Sequence, residues 1–234
     1  YLVPFMGSIY FGAMLIAILL NFELVVPALK LIFVDAFNGT AVAGGTFIGV
    51  LIYGVRRGAF SNEAGMGTES LVHGVAKVSN PVKQGLVAMT GPIFDTLIIC
   101  TATALIILIS GVWETSASQG VTLTSEAFNL LLGDVGGFIL FACVICFGLS
   151  TIFTYSYYGA TCARFIFGNF GMNFYIYLYI IGIFIYSIVP IDIAINIADG
   201  AFAMMAIPTL ISALWLAPKV MQESRNYFKL INNA

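Results

Sequence analysis

The sequence has little charge and few of the residues on which soluble catalytic proteins depend. Only 9% of its 234 residues are charged, and it contains one histidine and four cysteines. A soluble domain usually carries about 25% charged residues, so this composition excludes a water-soluble protein. The low cysteine count excludes a disulfide-rich secreted scaffold. Nine basic residues against eleven acidic ones leave no basic surface for a nucleic acid, and no P-loop motif for ATP hydrolysis occurs.

Apolar residues, in contrast, are abundant and are arranged in long runs. They make up 60% of the chain, whose mean hydropathy is +1.02. A helix needs about 20 apolar residues to cross a hydrocarbon core about 30 Å thick. Runs of that order do not alternate in polarity, which favours helices over barrel strands. We therefore predict an all-α polytopic membrane protein with six transmembrane helices. The six runs are 1–22, 36–55, 85–113, 135–163, 165–191 and 200–218.

The basic residues orient these predicted helices. Lys30 lies on one side with most of the loop acids, and the other basic residues lie opposite. The positive-inside rule then places the C-terminus in the cytoplasm. The loop 114–134 has no Lys or Arg and is predicted to be external, with a short surface helix over 124–132. The cytoplasmic residues are Lys77, Lys83, Arg164, Lys219, Arg225 and Lys229, joined by Arg56 and Arg57 if these lie outside the membrane.

The start of the chain does not resemble a signal-bearing precursor. The first residue is Tyr1, and an apolar run begins at once without a basic segment before it. We therefore expect an N-terminal part of the protein to precede this sequence.

The most unusual segment is 54–68, which follows directly from an apolar run. It contains four glycines, two arginines, Asn62 and Glu63. Glycine lowers helix stability by about 1 kcal/mol, and Ser and Asn compete for backbone hydrogen bonds, so a continuous helix is least favoured over 61–67. Unwound backbone within a membrane can offer carbonyls to a cation and a helix N-terminus to a carboxylate. An ordinary cytoplasmic loop between two helices is the alternative, because it has the same topology and charge count.

Residues 57–67 (RGAFSNEAGMG), His73 and residues 80–86 (NPVKQGL) closely resemble the alanine/glycine:cation symporter family, the sodium:alanine symporters. The resemblance implies a LeuT-like fold of two inverted five-helix repeats, of which this chain corresponds to helices 5–10. It also implies that an N-terminal half of the same chain completes the binding site. Further matching segments are 95–96 (DT), 100–105 (CTATAL), 110–113 (SGVW), 150–152 (STI), 157–159 (YYG) and 205–208 (MAIP).

The same resemblance divides the chain, a single membrane domain over 1–234, into segments. These are 1–35 (like helix 5), 36–79 (like the broken helix 6), 80–113 (like helix 7), 114–134 (external loop), 135–164 (like helix 8), 165–191 (like helix 9), 192–218 (like helix 10) and 219–234 (cytoplasmic tail).

Site residues follow from the resemblance position by position. It implies sodium binding by the paired hydroxyls of Ser150 and Thr151, since a hard cation prefers oxygen ligands. Asn62 can donate and accept hydrogen bonds, which suits a ligand with an ammonium and a carboxylate. Tyr155 lies one helical turn after Thr151, where the family more often has tryptophan. The implied substrate-binding residues are Phe60, Ser61, Asn62, Ala64, Gly65, Thr151 and Tyr155.

Two acids and the histidine have both functional and structural interpretations. Asp95 lies in an apolar run, where it would couple ion movement or pair with a polar group and fix helix packing. Glu63 would tune the cation site or hold the unwound segment by accepting backbone N–H bonds. His73 would relay a proton or, more commonly for such a position, pack in a hydrogen bond.

Together these observations predict a secondary active transporter, not an enzyme, with no cofactor beyond the co-transported sodium ion. It would carry a small neutral amino acid, alanine or glycine, across the prokaryotic plasma membrane. Proton coupling remains an alternative, through Asp95 and Glu63. A cation channel would need repeated carbonyls or an acidic ring. An intramembrane enzyme would have to use Glu63, His73 or Asp95 without an H-E-x-x-H metal-binding pair.

Overall fold

A computed structural model describes residues 2–36, 46–63 and 65–232. All regular structure within these ranges is helical, which confirms the predicted all-α class. In chain order the elements are α1 (Leu2–Leu20), α2 (Phe22–Ala36), α3 (Thr46–Asn62), α4 (Thr68–His73), α5 (Pro81–Ala88), α6 (Thr90–Pro92), a π-helix (Ile93–Cys100), α7 (Thr101–Ser110), α8 (Val112–Thr115), α9 (Val121–Leu132), α10 (Asp134–Ile188) and α11 (Ile191–Asn232).

Some of these helices are long and apolar enough to cross a membrane. Within the described ranges there are four such stretches, Val3–Leu20, Pro81–Ser110, Asp134–Ile188 and Ile193–Ile231. They agree with a multi-pass membrane protein, whereas six crossings and the LeuT-like arrangement stay predictions. Part of the second predicted crossing, residues 37–45, lies outside the described residues.

α10 contains a break that divides it. Gly168 has φ 70° and ψ −157°, which is not helical. A helical crossing requires about 20 residues, and each of the stretches 134–167 and 169–188 reaches that length. The sequence predicts the boundary between these two crossings at Arg164. The break in the structure lies four residues later, at Gly168, because glycine adopts a positive φ without steric cost.

The chain divides into two units. Tyr1–Val55 with Phe94–Tyr155 form the first, and Arg56–Ile93 with Ser156–Ala234 form the second. The first unit has a core around Met14, Ile106 and Phe128, whose side chains are fully buried. These residues come from α1, α7 and α9, which contact one another.

α9 lies within the segment predicted as an external loop. A helix over 124–132 was expected, and the helix Val121–Leu132 confirms it. One face of this helix packs inward, since Ala127 and Phe128 are fully buried, while Val121 and Leu130 are exposed. Phe128 stacks on Tyr10 of α1 with ring centroids 5.8 Å apart. Leu123, Leu131 and Leu132 of the same helix pack against this core as well.

In the second unit, α5 contacts both α4 and α11. Asn80 caps α5 by accepting the Val82 N–H at 2.8 Å, and Pro81 follows in the first turn. The Gln84 side-chain amide lies 2.6 Å from His73 Nδ1 and so joins α5 to the end of α4. This hydrogen bond supports the packing interpretation of His73.

Candidate functional site

The helix is interrupted between α3 and α4. α3 ends at Asn62, α4 begins at Thr68, and φ is positive at Glu63 (53°), Gly65 (78°) and Gly67 (87°). Positive φ breaks a right-handed helix, and it is costly for a residue with a Cβ atom. The predicted loss of helix is confirmed at 63 and 65–67, whereas Ser61 and Asn62 lie in the last turn of α3. Ala64, a predicted substrate contact, lies outside the described residues.

The residues that follow the interruption are packed inward. Met66 and Thr68 are buried, with 5% and 2% of their surface exposed. A Cβ atom at Gly67 would lie 2.8 Å from Thr209 Oγ1 on α11, so both the backbone angle and the available space require glycine there. The Thr68 hydroxyl is buried, and it has no hydrogen-bond partner among the described residues. Such a group costs stability unless water or a ligand satisfies it.

Glu63 is joined to the part of α10 that belongs to the second unit. The Tyr158 hydroxyl donates a hydrogen bond to Glu63 Oε2 at 3.3 Å, and Tyr158 is 7% exposed. Acceptance of backbone N–H bonds is one of the two roles that the sequence predicts for this carboxylate. The contact found in the structure is with a side chain, and it connects the interrupted segment to a neighbouring helix.

Arg56 and Arg57 lie in the last two turns of α3, which continues past the end of its apolar run. Both approach Asp199 on α11, with Arg56 Nη1 3.6 Å from Oδ2 and Arg57 Nη1 3.9 Å from Oδ1. The Asp199 side chain is 11% exposed. A largely buried carboxylate is tolerated because paired cations offset its desolvation. The two arginines therefore belong to an ion-pair cluster within helices.

A cavity of about 350 Å³ lies between α3 and α11 beside this cluster, and we call it the arginine cavity. Phe60 and Phe202 meet edge to face across it, with centroids 5.0 Å apart. Ala59 and Ala203 are small enough to leave the space open. Its other principal lining residues are Arg56, Met66, Asn196 and Asp199. Among the predicted substrate contacts in the described ranges, Phe60 lines this cavity.

A larger cavity of about 490 Å³ lies between α5 and α11. Its lining is mainly aliphatic, with Lys219 and Glu223 as the charged members. It contains none of the residues predicted to bind substrate or sodium. The polar groups that orient a small zwitterion are therefore better represented in the arginine cavity.

The predicted sodium ligands lie on α10, in the first unit. The Ser150 hydroxyl donates to the Phe147 carbonyl at 3.0 Å. A hydroxyl oriented in this way keeps its oxygen lone pairs available for a cation. Thr151 and Tyr155 belong to the same helix and the same unit, whereas Phe60, Ser61, Asn62 and Gly65 belong to the second unit.

Asp95 lies in the π-helix Ile93–Cys100, in the first unit. π-Helical turns are rare and often occur at functional sites, because they shift the register of the side chains that follow. The side chain is partly buried and has an interaction partner. This placement suits either of the roles predicted for Asp95.

The profile of the sodium:alanine symporter family matches residues 1–234, which is the whole chain. The chain belongs to the sodium:alanine symporter family. Similar proteins include an uncharacterized transporter of Haemophilus influenzae (35% identical, covering 97% of this chain and 51% of that protein). The sodium/alanine symporter AgcS of Methanococcus maripaludis is 34% identical (99% and 52%). The amino-acid carrier protein AlsT of Bacillus subtilis is 32% identical (97% and 49%).

These members of the sodium:alanine symporter family are transporters, not enzymes. The chain spans about half the length of the curated relatives it matches.

The sequence analysis identified neither Asp199 nor Tyr158 as a candidate site residue. Asn196 and Asp199 are three residues apart and Asp192 precedes Asp199 by seven, so their spacing puts the three on one side of a helix. That pattern in an apolar neighbourhood could have identified Asp199. The sequence contains no comparable signal for Tyr158, because its role depends on where α10 meets Glu63.

Proposed function

We propose that the whole protein is a secondary active transporter that moves a small neutral amino acid, alanine or glycine, with sodium across the cell membrane. The family match over residues 1–234 carries this proposal. The interruption between α3 and α4 supports it, because unwound backbone exposes polar groups that a zwitterion can use. Similarity to AgcS, a sodium/alanine symporter, supports alanine as the first substrate to test.

In this proposal the substrate binds at the interruption. Ser61 and Asn62, in the last turn of α3, supply side-chain hydrogen bonds, while the non-helical backbone that follows, as far as Gly67, supplies carbonyl groups. Thr151 and Tyr155 complete the pocket, and Ser150 with Thr151 holds sodium. The orientation of the Ser150 hydroxyl toward Phe147 supports a cation ligand at that oxygen.

Transport also needs a path and a source of energy. Sodium and amino acid bind together near the middle of the membrane, and one group of helices then rocks against the other. Bound sodium raises the affinity for the amino acid, and linkage makes that effect reciprocal. Six crossings, a cytoplasmic C-terminus and completion of the site by an N-terminal half belong to the same proposal.

Proton coupling is a second candidate. Glu63 is a carboxylate at the interruption with a tyrosine hydroxyl as its partner, and Asp95 lies in a π-helix. Such acids within a membrane protein can carry protons. In this version the fold and the substrate stay the same, and the coupling ion changes.

Uptake of labelled alanine by the full-length protein in liposomes tests the function. We expect accumulation under an inward sodium gradient and its loss when choline replaces sodium at constant pH. Accumulation under a proton gradient without sodium would support the second candidate. Verified folded protein that takes up neither alanine nor glycine under either gradient would contradict both.

Two variants test the proposed site. Asn62→Ala and Thr151→Ala each remove a hydrogen bond worth about 1–3 kcal/mol, so the KM for alanine should rise by about tenfold or more. Asn226→Ala and Thr122→Ala, at exposed positions on α11 and α9, are matched controls that should leave the KM unchanged. Unchanged uptake kinetics in Asn62→Ala or Thr151→Ala would remove that residue from the site.

A further inference from the structure

We propose that the cavity of about 490 Å³ between α5 and α11 binds an anionic phospholipid, with Lys219 in contact with its phosphate. We call this cavity the α5–α11 groove. The inference goes beyond the proposed function, because it does not depend on which amino acid or ion is carried. It rests on the lining of the groove and on the charge at one end of it, both within the second unit.

The α11 side of the groove changes from apolar to polar along the helix. Its lining residues are Leu216, Lys219, Val220, Glu223 and Ser224, which recur with helical periodicity on one face. The predicted crossing of this helix ends at 218, so the charged residues begin where the chain leaves the hydrocarbon core. This side therefore offers an apolar surface to an acyl chain and a polar surface to a headgroup.

The α5 side of the groove has no charged lining residue. Leu86 and Met89 line it and are exposed. α5 leads into the predicted crossing 85–113, which begins at the same membrane surface at which the crossing 200–218 ends. Leu86 and Met89 therefore lie on the hydrocarbon side of that surface, as Leu216 does, and an acyl chain in the groove contacts all three.

Lys219 is available to an anion. Its side chain is exposed in the groove, and it has no ion-pair partner among the described residues, Glu223 included. A lysine at the end of a membrane helix lays its aliphatic stem along apolar surface and directs its charge toward the headgroups. The phosphate of a lipid in the groove would lie at that level.

The surroundings of this end of the groove are basic. A neighbouring cavity of about 420 Å³ shares Val220 and Ser224 with the groove, and Arg225 and Lys229 also line it. The stretches 68–88 and 216–232 together contain five basic residues and two acidic ones. Basic pockets beside transmembrane helices are typical sites for acidic lipid headgroups, because each Lys or Arg near the surface adds to the attraction.

A phospholipid suits both parts of the groove better than a protein segment does. An apolar helix from a second copy of the chain would cover Leu86 and Met89, but it would leave Lys219 without a counter-charge at the contact. Removing an unpaired charge from water is costly. An anionic phospholipid covers the same apolar lining with an acyl chain and supplies the phosphate that pairs with Lys219.

Photolabelling of the full-length protein in phosphatidylcholine vesicles tests the site. The vesicles contain a small fraction of either phosphatidylglycerol or phosphatidylcholine, each with the same photoreactive acyl chain, and mass spectrometry identifies the labelled peptides. We expect labelling within 81–89 and 216–224, about fivefold or more stronger with phosphatidylglycerol, the factor that one basic residue near the surface provides. Added glycerol phosphate, which lacks acyl chains, should not reduce the labelling.

Variants of Lys219 test the contact with the phosphate. Lys219→Gln should lower the preference for phosphatidylglycerol over phosphatidylcholine by about fivefold. Lys219→Arg retains the charge and should retain the preference. Lys30→Gln removes an exposed charge from α2 in the first unit, and it is the matched control that should change nothing.

Gly85→Leu tests whether the lipid occupies the groove itself. A Cβ atom at Gly85 would have no heavy atom within 4 Å, so a larger side chain fits there without moving the backbone. It would occupy the space proposed for the acyl chain, and labelling by both photoreactive lipids should fall severalfold. Gly182→Leu on α10, where the space is equally open, is the control that should leave the labelling unchanged.

Several results would overturn the inference. These are absence of labelling within 81–89 and 216–224 in the wild-type protein, equal labelling by the two lipids, and an unchanged preference in Lys219→Gln. Competition by glycerol phosphate would overturn it as well, because it would identify a site for a small anion. Where Lys219→Gln does not fold, Glu223→Gln decides. It removes the acid from the lining, so the preference should rise, and an unchanged preference overturns the inference.

Discussion

At the scale of single residues, Glu63 combines two unfavourable features. Its backbone has φ 53°, a conformation that costs of the order of 1–3 kcal/mol for a residue other than glycine. Its carboxylate is partly buried and accepts a hydrogen bond from the buried Tyr158 hydroxyl. Such strain persists only when the surroundings hold the residue in place. We infer that Tyr158 is part of what fixes the interruption.

Removing the Tyr158 hydroxyl should therefore destabilise the protein. We expect Tyr158→Phe to lower the free energy of unfolding by about 0.5–2 kcal/mol, the range for hydrogen bonds between membrane helices and to charged groups. In a Glu63→Gln background the same substitution should cost less, because the charge that strengthens the bond is gone. Unfolding of the detergent-solubilised protein measures both values, combined in a double-mutant cycle.

Tyr157→Phe provides the matched control. Tyr157 is the neighbouring residue on α10 and is 47% exposed, so the loss of its hydroxyl should have little effect. Equal destabilisation by Tyr157→Phe and Tyr158→Phe, or a Tyr158→Phe effect independent of Glu63, would contradict this role.

At the scale of elements, α9 is tied to the segment before it. The Ser118 hydroxyl donates to Glu126 Oε1 at 2.6 Å, and the Ser118 N–H donates to Ser116 Oγ at 3.0 Å. Hydrogen bonds from Ser116 and Ser118 hold the pKa of Glu126 below its ordinary value of 4.5, because they stabilise the ionised carboxylate. The segment before α9 is thus fastened to the second turn of that helix.

This arrangement predicts a pH dependence. Because the pKa is depressed in the folded state, the contribution of Glu126 is complete above its ordinary pKa and is lost as pH falls through the depressed value. Replacing Ser116 and Ser118 with alanine should return the pKa to its ordinary value. An NMR titration of labelled glutamate carboxyl groups in detergent measures it, with Ser125→Ala as a control. A wild-type Glu126 that titrates at 4.5 would show that these hydrogen bonds do not form.

At the scale of the whole molecule, orientation in the membrane is the main prediction. The basic residues other than Lys30 gather at one set of ends of the predicted crossings, and the loop 114–134 contains none of them. Single introduced cysteines can show on which side of the membrane each loop lies, once the four native cysteines have been replaced. In intact cells, Ser118→Cys should react with a membrane-impermeant maleimide.

Ser79→Cys and Asn226→Cys should react only after the membrane is permeabilised, since both positions are predicted to be cytoplasmic. Labelling of either from outside would contradict the six-crossing topology. The proposed position of the interruption within the membrane would then be wrong as well, because it depends on the same number of crossings.

Much of this protein is determined by local sequence. The all-α class follows from continuous apolar runs, and the interruption follows from glycines and polar residues within 61–67. These are properties of neighbouring residues, so they can be predicted without a tertiary structure. Family membership follows from motifs in order along the chain, as the match over residues 1–234 confirms.

Only the tertiary structure decided which distant residues meet. The contacts of Asp199 with Arg56 and Arg57, and of Tyr158 with Glu63, join residues far apart in sequence. Burial of Phe128 likewise depended on α1 and α7 covering one face of α9. Helical periodicity defines the face on which a residue lies, but it contains no information on which other helix that face will contact. The physical reason is that helix formation is local, whereas partner choice depends on the packing of the folded chain.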